Sequence, residues 1–171
     1  MLHLYYGNGK GKTSSAIGLG IRAAGRGKNV LMIQFLKCQE TGEQLFLSDC
    51  QNFDIHRFES EHSFVINPTA EQKIQLTEEI AVAIDFAKEQ ISNHQCDVLI
   101  LDEVLDTVIL DLLSESELIS LINLGKNKIE FVFTGRRASS ELIEIADYVT
   151  DMMLIKHPFQ KGVNARKGIE F

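Results

Sequence analysis

The chain has 171 residues, 44% of them hydrophobic, which is enough for one domain with a substantial buried core. Its formal net charge of -7 excludes a broad nucleic-acid surface, so any basic site must be local. The three cysteines, Cys38, Cys50 and Cys96, form no C-x-x-C pair, and an odd, scattered set points to a reducing compartment rather than a disulfide scaffold. Residues 1–15 are rich in glycine and lysine and do not read as a signal peptide. The longest apolar stretch, residues 98–113, is broken by Asp102, Glu103, Asp106 and Asp111, too many charges for a bilayer span. A cytoplasmic protein with neither membrane nor nucleic-acid partner is expected.

Residues 2–6 read as a short buried strand, followed by a glycine-rich loop. Residues 13–26 read as an alanine-rich helix that closes near Gly25 and Gly27. Residues 29–35, NVLMIQF, read as a second buried strand, so the first 35 residues form a β-α-β unit with parallel pairing. Residues 53–58 are a candidate third strand. After a loop over residues 59–68, Thr69 and Gln72 have capping-box spacing, and a long helix is expected to about residue 94. Leu76, Ile80, Ile84, Ala87 and Ile91 fall on one face of that helix. Residues 98–101 are continuously apolar, as suits the middle of a parallel sheet. Ser114 and Glu117 form a second capping-box pattern before a helix that ends at Gly125. A strand over 129–133, a short helix over 140–147 and a final strand over 152–155 complete the elements. The alternation predicts a three-layer α/β domain with a mostly parallel sheet, spanning residues 1–171 without an internal repeat or linker. The tail after residue 158 is too polar to be core.

The loop reads Gly7-Asn8-Gly9-Lys10-Gly11-Lys12-Thr13. The usual phosphate loop is G-x-x-x-x-G-K-[ST], but five residues before Gly11 stands Tyr6, and the first glycine comes one place late. A loop between strand and helix turns backbone N–H groups toward an anion, and the helix N-terminus adds partial positive charge. Lys12 supplies a mobile cation, and Thr13 a hydroxyl for a magnesium ion that bridges phosphates. Asp102 and Glu103 follow the apolar run 98–101. Ligands of open parallel sheets bind at the carboxyl ends of strands, so either acid can reach magnesium directly or through water. Thr134-Gly135-Arg136-Arg137 ends the strand over 129–133 in the analogous place, where an arginine can neutralise phosphate oxygens. Arg22 lies about two and a half turns along the first helix and either reaches the nucleotide or is solvated. The five histidines, His3, His56, His62, His94 and His157, have no metal-ligand spacing, and there is no H-E-x-x-H or nucleophile elbow.

Further segments extend the pattern: Arg22-Ala23-Ala24-Gly25 with Gly27-Lys28, Gln34-Phe35-Leu36-Lys37, Leu101-Asp102-Glu103-Val104, Thr134-Gly135-Arg136, and the tail from Lys156-His157-Pro158-Phe159 through Gly162-Val163 to Gly168-Ile169-Glu170-Phe171. Together with the glycine loop, in this order and spacing, they resemble the P-loop-type ATP:corrinoid adenosyltransferases. The resemblance covers nearly the whole chain, and there the shifted glycine is the rule. It implies a P-loop NTPase-like, RecA-like fold. It also implies transfer of the 5′-deoxyadenosyl group of MgATP to the Co(I) of a reduced corrinoid, with triphosphate released. ATP is expected to lie reversed, its γ-phosphate where other P-loop enzymes hold the α-phosphate. Lys12 and Arg136 are then the catalytic electrostatic residues. Gly7, Asn8, Gly9, Lys10, Gly11, Lys12, Thr13, Ser14 and Arg22 bind the nucleotide, and Thr13, Glu103 and Asp102 serve the magnesium. A homodimer and a flavoprotein reductant are further expectations of the resemblance.

Two departures stand out. The family's corrinoid-facing aromatic pair, phenylalanine and then tryptophan two residues on, is matched here only by Phe64 and Ile66, and the chain has no tryptophan. Ile66 offers an apolar wall but no flat ring, which bears on how Co(II) is reduced. The first strand also begins at once, leaving no place for the N-terminal helix that covers the site in some relatives, so a more open corrinoid pocket is expected. Two other readings follow from the same residues. One is a RecA-like ATPase that hydrolyses ATP to ADP and phosphate, with Glu103 orienting water. The other is a corrinoid carrier or regulator that binds both ligands without turnover.

Overall fold

Continuous apolar runs form the strands, and amphipathic runs form the helices that cover them. The computed structural model describes residues 1–37, 40–60 and 69–170. Its strands are β1 (Leu2–Tyr6), β2 (Val30–Gln34), β3 (Phe53–His56), β4 (Val98–Asp102), β5 (Glu130–Gly135) and β6 (Tyr148–Asp151). They make one six-stranded sheet in the order β3-β2-β4-β5-β1-β6. Every pairing is parallel. Its helices are α1 (Lys12–Ala24), α2 (Gly42–Leu47), α3 (Ala70–Ser92), α4 (Val104–Ile109), α5 (Glu115–Leu124) and α6 (Ser140–Ile145).

Side chains alternate across each strand, so each central strand feeds two cores. Leu31, Ile33, Leu99, Leu101, Phe131 and Phe133 pack with residues of α3, α5 and α6. Val30, Met32, Val98, Ile100 and Val132 pack with Ala16 of α1 and Leu47 of α2. This double burial explains why the central strands read as unbroken apolar runs. The result is the expected three-layer, P-loop NTPase-like α/β architecture. Phe133 is fully buried, with its ring 5.9 Å from that of Phe131 in an edge-to-face arrangement. Phe133→Ala should therefore cost about 3–5 kcal/mol of unfolding free energy, measured by urea denaturation. A loss below about 1 kcal/mol would show that this core is not close-packed at β5.

Both capping boxes are present. The Thr69 hydroxyl accepts from Gln72 N at the start of α3, and the Ser114 hydroxyl accepts from Glu117 N at the start of α5. Several boundaries shift. The strand expected over 53–58 ends at His56, and the helix expected over 140–147 ends at Ile145. The short helices α2 and α4 carry too few turns for a periodic signal and are absent from the sequence reading.

The final strand is corrected. It is Tyr148–Asp151, paired with β1 from His3↔Tyr148 to Tyr6↔Asp151, and not residues 152–155. Those later residues are the more apolar, but β1 ends at Tyr6 and offers them no ladder. Instead Met152 N donates to Tyr6 O at 2.7 Å, and Met152 O accepts from Gly9 N at 2.6 Å. The chain thus turns over the glycine loop. Beyond it come a 3-10 turn, Pro158–Lys161, and an exposed tail.

Candidate functional site

The glycine loop leaves the end of β1 and enters α1. Gly7 has φ 116°, and a Cβ there would lie 2.4 Å from Asp151 Oδ1. A Cβ on Gly9 would lie 2.5 Å from Met152 O. Glycine at these two places lets the segment after β6 close against the loop. The N-terminus of α1 has no side-chain cap and no acidic residue in its first turn. Its orphan amides and its dipole suit an anion. Lys12 Nζ donates to Gly9 O at 2.9 Å, which holds the ammonium beside the loop. Burial draws the Lys12 pKa down, against the pull of Asp106 and Glu103.

Beneath the loop lies a polar knot centred on Asp102, which is fully buried at the end of β4. Asp102 Oδ1 accepts from Thr13 Oγ1 at 2.9 Å and from Thr134 Oγ1 at 2.7 Å. Its Oδ2 is paired with Lys37 Nζ, which also stands 3.7 Å from Glu103 Oε1. The Thr134 hydroxyl accepts from Glu103 N at 2.8 Å. One carboxylate therefore ties together the start of α1, the end of β5 and the segment after β2. Burial alone would lower the Lys37 pKa, but Asp102 and Glu103 together raise it.

Glu103 is held at φ 65°, in the left-handed region that a non-glycine residue enters at a cost. That conformation breaks β4 from α4 and sends the side chain to the cleft. Burial pushes the Glu103 carboxyl up to about 7, with Asp102 and Asp106 adding to the shift and Lys37 and Arg136 opposing it. Asp106 is raised as well, mainly by burial, and its Oδ1 accepts from Arg136 N at 3.2 Å.

A cleft of about 560 Å³ joins these parts, within the usual range for small-molecule sites. It is lined by residues 8–14 of the loop, by Glu103, Asp106 and Arg136, and by Leu154, His157, Phe159, Gln160, Ile169 and Glu170 of the segment after β6. Asn8, Gly9, Lys10, Gly11, Lys12, Thr13, Ser14, Glu103 and Arg136 are thus brought together as the sequence reading expected. Gly7 is buried at the root of the loop, and Asp102 lies below the cleft rather than on its lining. Arg22 is exposed in the last turn of α1, roughly 15 Å along the axis from Lys12, and is not among the lining residues. Phe64 and Ile66 lie outside the described residues.

Lys37 and Asp106 carry no role in the sequence reading. Asp106 had a signal: it follows Glu103 by three residues, a same-face spacing once α4 is known to start there. Lys37 had only its place after a strand end. Among the described residues, no cluster of three or more His, Cys, Asp or Glu side chains is arranged to hold a metal unaided.

The family model of the ATP:corrinoid adenosyltransferase BtuR/CobO/CobP matches residues 1–171. The corrinoid adenosyltransferase CobA of Salmonella typhimurium LT2 is 31% identical over 170 residues, which cover 98% of this chain and 84% of that relative. The corrinoid adenosyltransferase of Pseudomonas aeruginosa PAO1 is 33% identical over 178 residues, covering 100% and 83%. That of a Sinorhizobium species is 32% identical over 170 residues, covering 96% and 77%.

Proposed function

The chain belongs to the ATP:corrinoid adenosyltransferase family, and on that premise we propose that it transfers the 5′-deoxyadenosyl group of ATP to the Co(I) of a reduced corrinoid. The observation that carries this reading is the convergence of the shifted glycine loop, Lys12, Thr13, Glu103 and Arg136 on one cleft. The Co(I) electron pair forms the bond to ribose C5′. The C5′–O bond breaks, and its pair leaves with the triphosphate. No proton moves, so no general base is needed. The protein has to align cobalt and carbon and to stabilise the departing charge.

The α1 amides, Lys12 and Arg136 are suited to the second task. Lys10 and Asn8 flank the same phosphates, and Ser14 stands in the first turn of α1. A hard cation such as magnesium fits the residues present. Thr13 and Glu103 offer oxygen donors to the cleft, the ligand type that a hard divalent cation takes. With no complete ligand cluster among the described residues, triphosphate oxygens would complete the shell. When bound, the ion supplies charge neutralisation to the triphosphate. Asp102 would act on it through the Thr13 hydroxyl that it holds. Family membership and, among the described residues, the free cysteines Cys50 and Cys96 support a cytoplasmic enzyme. A homodimer and a flavoprotein electron donor belong to the same proposal.

The test is an anaerobic reaction with chemically reduced cobalamin and MgATP. Light-sensitive adenosylcobalamin together with intact triphosphate is the expected result. ADP and phosphate with no change at cobalt would make the chain a nucleotide hydrolase instead.

A further inference from the structure

The cleft has two chemically different walls. The phosphate loop, Lys12 and Arg136 make a cationic one. The chain beyond β6 makes the other, and its apolar side chains there are Leu154, Phe159 and Ile169. The Phe159 side is 72% exposed, although an aromatic ring gains much from burial. The ring is nevertheless carried on a fixed support. Phe159 N donates to His157 Nδ1 at 3.2 Å, and His157 N donates to Gln160 Oε1 at 3.4 Å. Gly162, at φ 74°, closes the turn with its N–H donating to Phe159 O at 2.9 Å.

The same wall is fastened to the phosphate loop. Lys10 Nζ donates to Ile169 O at 3.0 Å and to Glu170 Oε1 at 3.1 Å. An exposed aromatic side chain is therefore held in the same cleft as the anion-binding amides. Triphosphate on the loop leaves the nucleoside end to meet an apolar surface. Aromatic side chains bind bases by their faces with little regard to edge chemistry. On this wall the polar atoms His157 Nδ1 and Gln160 Oε1 are already engaged in the turn.

We infer that Phe159, flanked by Leu154 and Ile169, is the surface on which the adenine of ATP stacks; this rests on the nucleotide reading above. The ring recognises the base, and the loop recognises the phosphates, as separable contributions. Magnesium tripolyphosphate is the probe that separates them, because it fills the loop and has no base. Binding of MgATP and of magnesium tripolyphosphate is measured by calorimetry on the wild-type chain, Phe159→Ala and Phe159→Trp. Phe159→Ala should weaken MgATP about tenfold or more and leave tripolyphosphate unchanged, while Phe159→Trp keeps the affinity for MgATP.

Unchanged MgATP affinity in Phe159→Ala would overturn the inference. So would equal weakening of both ligands, which would mean that the ring only holds the tail on the loop. Loss of corrinoid binding with MgATP intact would assign the ring to the other substrate and overturn it too. A wild-type chain that binds neither probe would overturn the nucleotide reading itself, and this inference with it.

Discussion

Lys12→Ala should lower the turnover of adenosyl transfer about 10²–10³-fold while leaving the fold intact. The lysine stands at the first position of α1, and its ammonium rests 2.9 Å from the Gly9 carbonyl oxygen. That contact is a neutral acceptor within the loop and holds no other element in place. A leaving triphosphate gains charge on the oxygen released from C5′, and a cation already aimed at that region stabilises it without reorganising. Burial lowers the Lys12 pKa, while Asp106 and Glu103 favour the charged form. The measurement is steady-state kinetics with pre-reduced cobalamin, paired with a urea unfolding curve. Wild-type turnover in the variant would remove Lys12 from the phosphate assignment. A matching loss of stability would mean that the loop, not the charge, had been lost.

Asp102→Ala should destabilise the fold by about 3–5 kcal/mol. It leaves Lys37, mostly buried, without the carboxylate it is paired with, and it removes the acceptor shared by Thr13 and Thr134. Most of that loss is the cost of stranding a charge rather than the worth of the pair. The double variant Asp102→Leu with Lys37→Met removes both charges at similar volume. It should recover much of the stability and none of the activity, because the Thr13 hydroxyl would still lack its anchor. Denaturant midpoints of the single and double variants decide this. If the double variant were no more stable than Asp102→Ala, the ion pair would not be the cause. If it were fully active, Asp102 would have no part in orienting Thr13.

Much of the site was legible along the chain because its parts are local. The loop glycines, Lys12 and Thr13 are consecutive, and their strand and helix flank them directly. Glu103 and Arg136 stand where parallel strands deliver functional side chains, at the ends of β4 and β5. Arg22 matched as sequence, but a helix of this length carries it away from the loop. The last strand was misplaced for a related reason. Apolar composition marks burial, yet β6 is an edge strand with every residue exposed, so the more apolar residues after it looked the better strand.

Neighbours along the chain suffice to specify the alternating elements, the helix caps at Thr69 and Ser114, and an anion-binding turn. These follow from backbone sterics and hydrogen bonds that close within a few residues. Which distant groups meet depends instead on how the sheet is assembled. Lys37 and Asp102 are 65 residues apart, and Lys10 and Glu170 are 160 apart. The first pair forms because β2 and β4 are adjacent in the sheet. The second forms because the chain after β6 finds no further strand to pair with and folds back over the loop. Charge and polarity mark such residues as reactive, but only the packing of the sheet gives each one its partner.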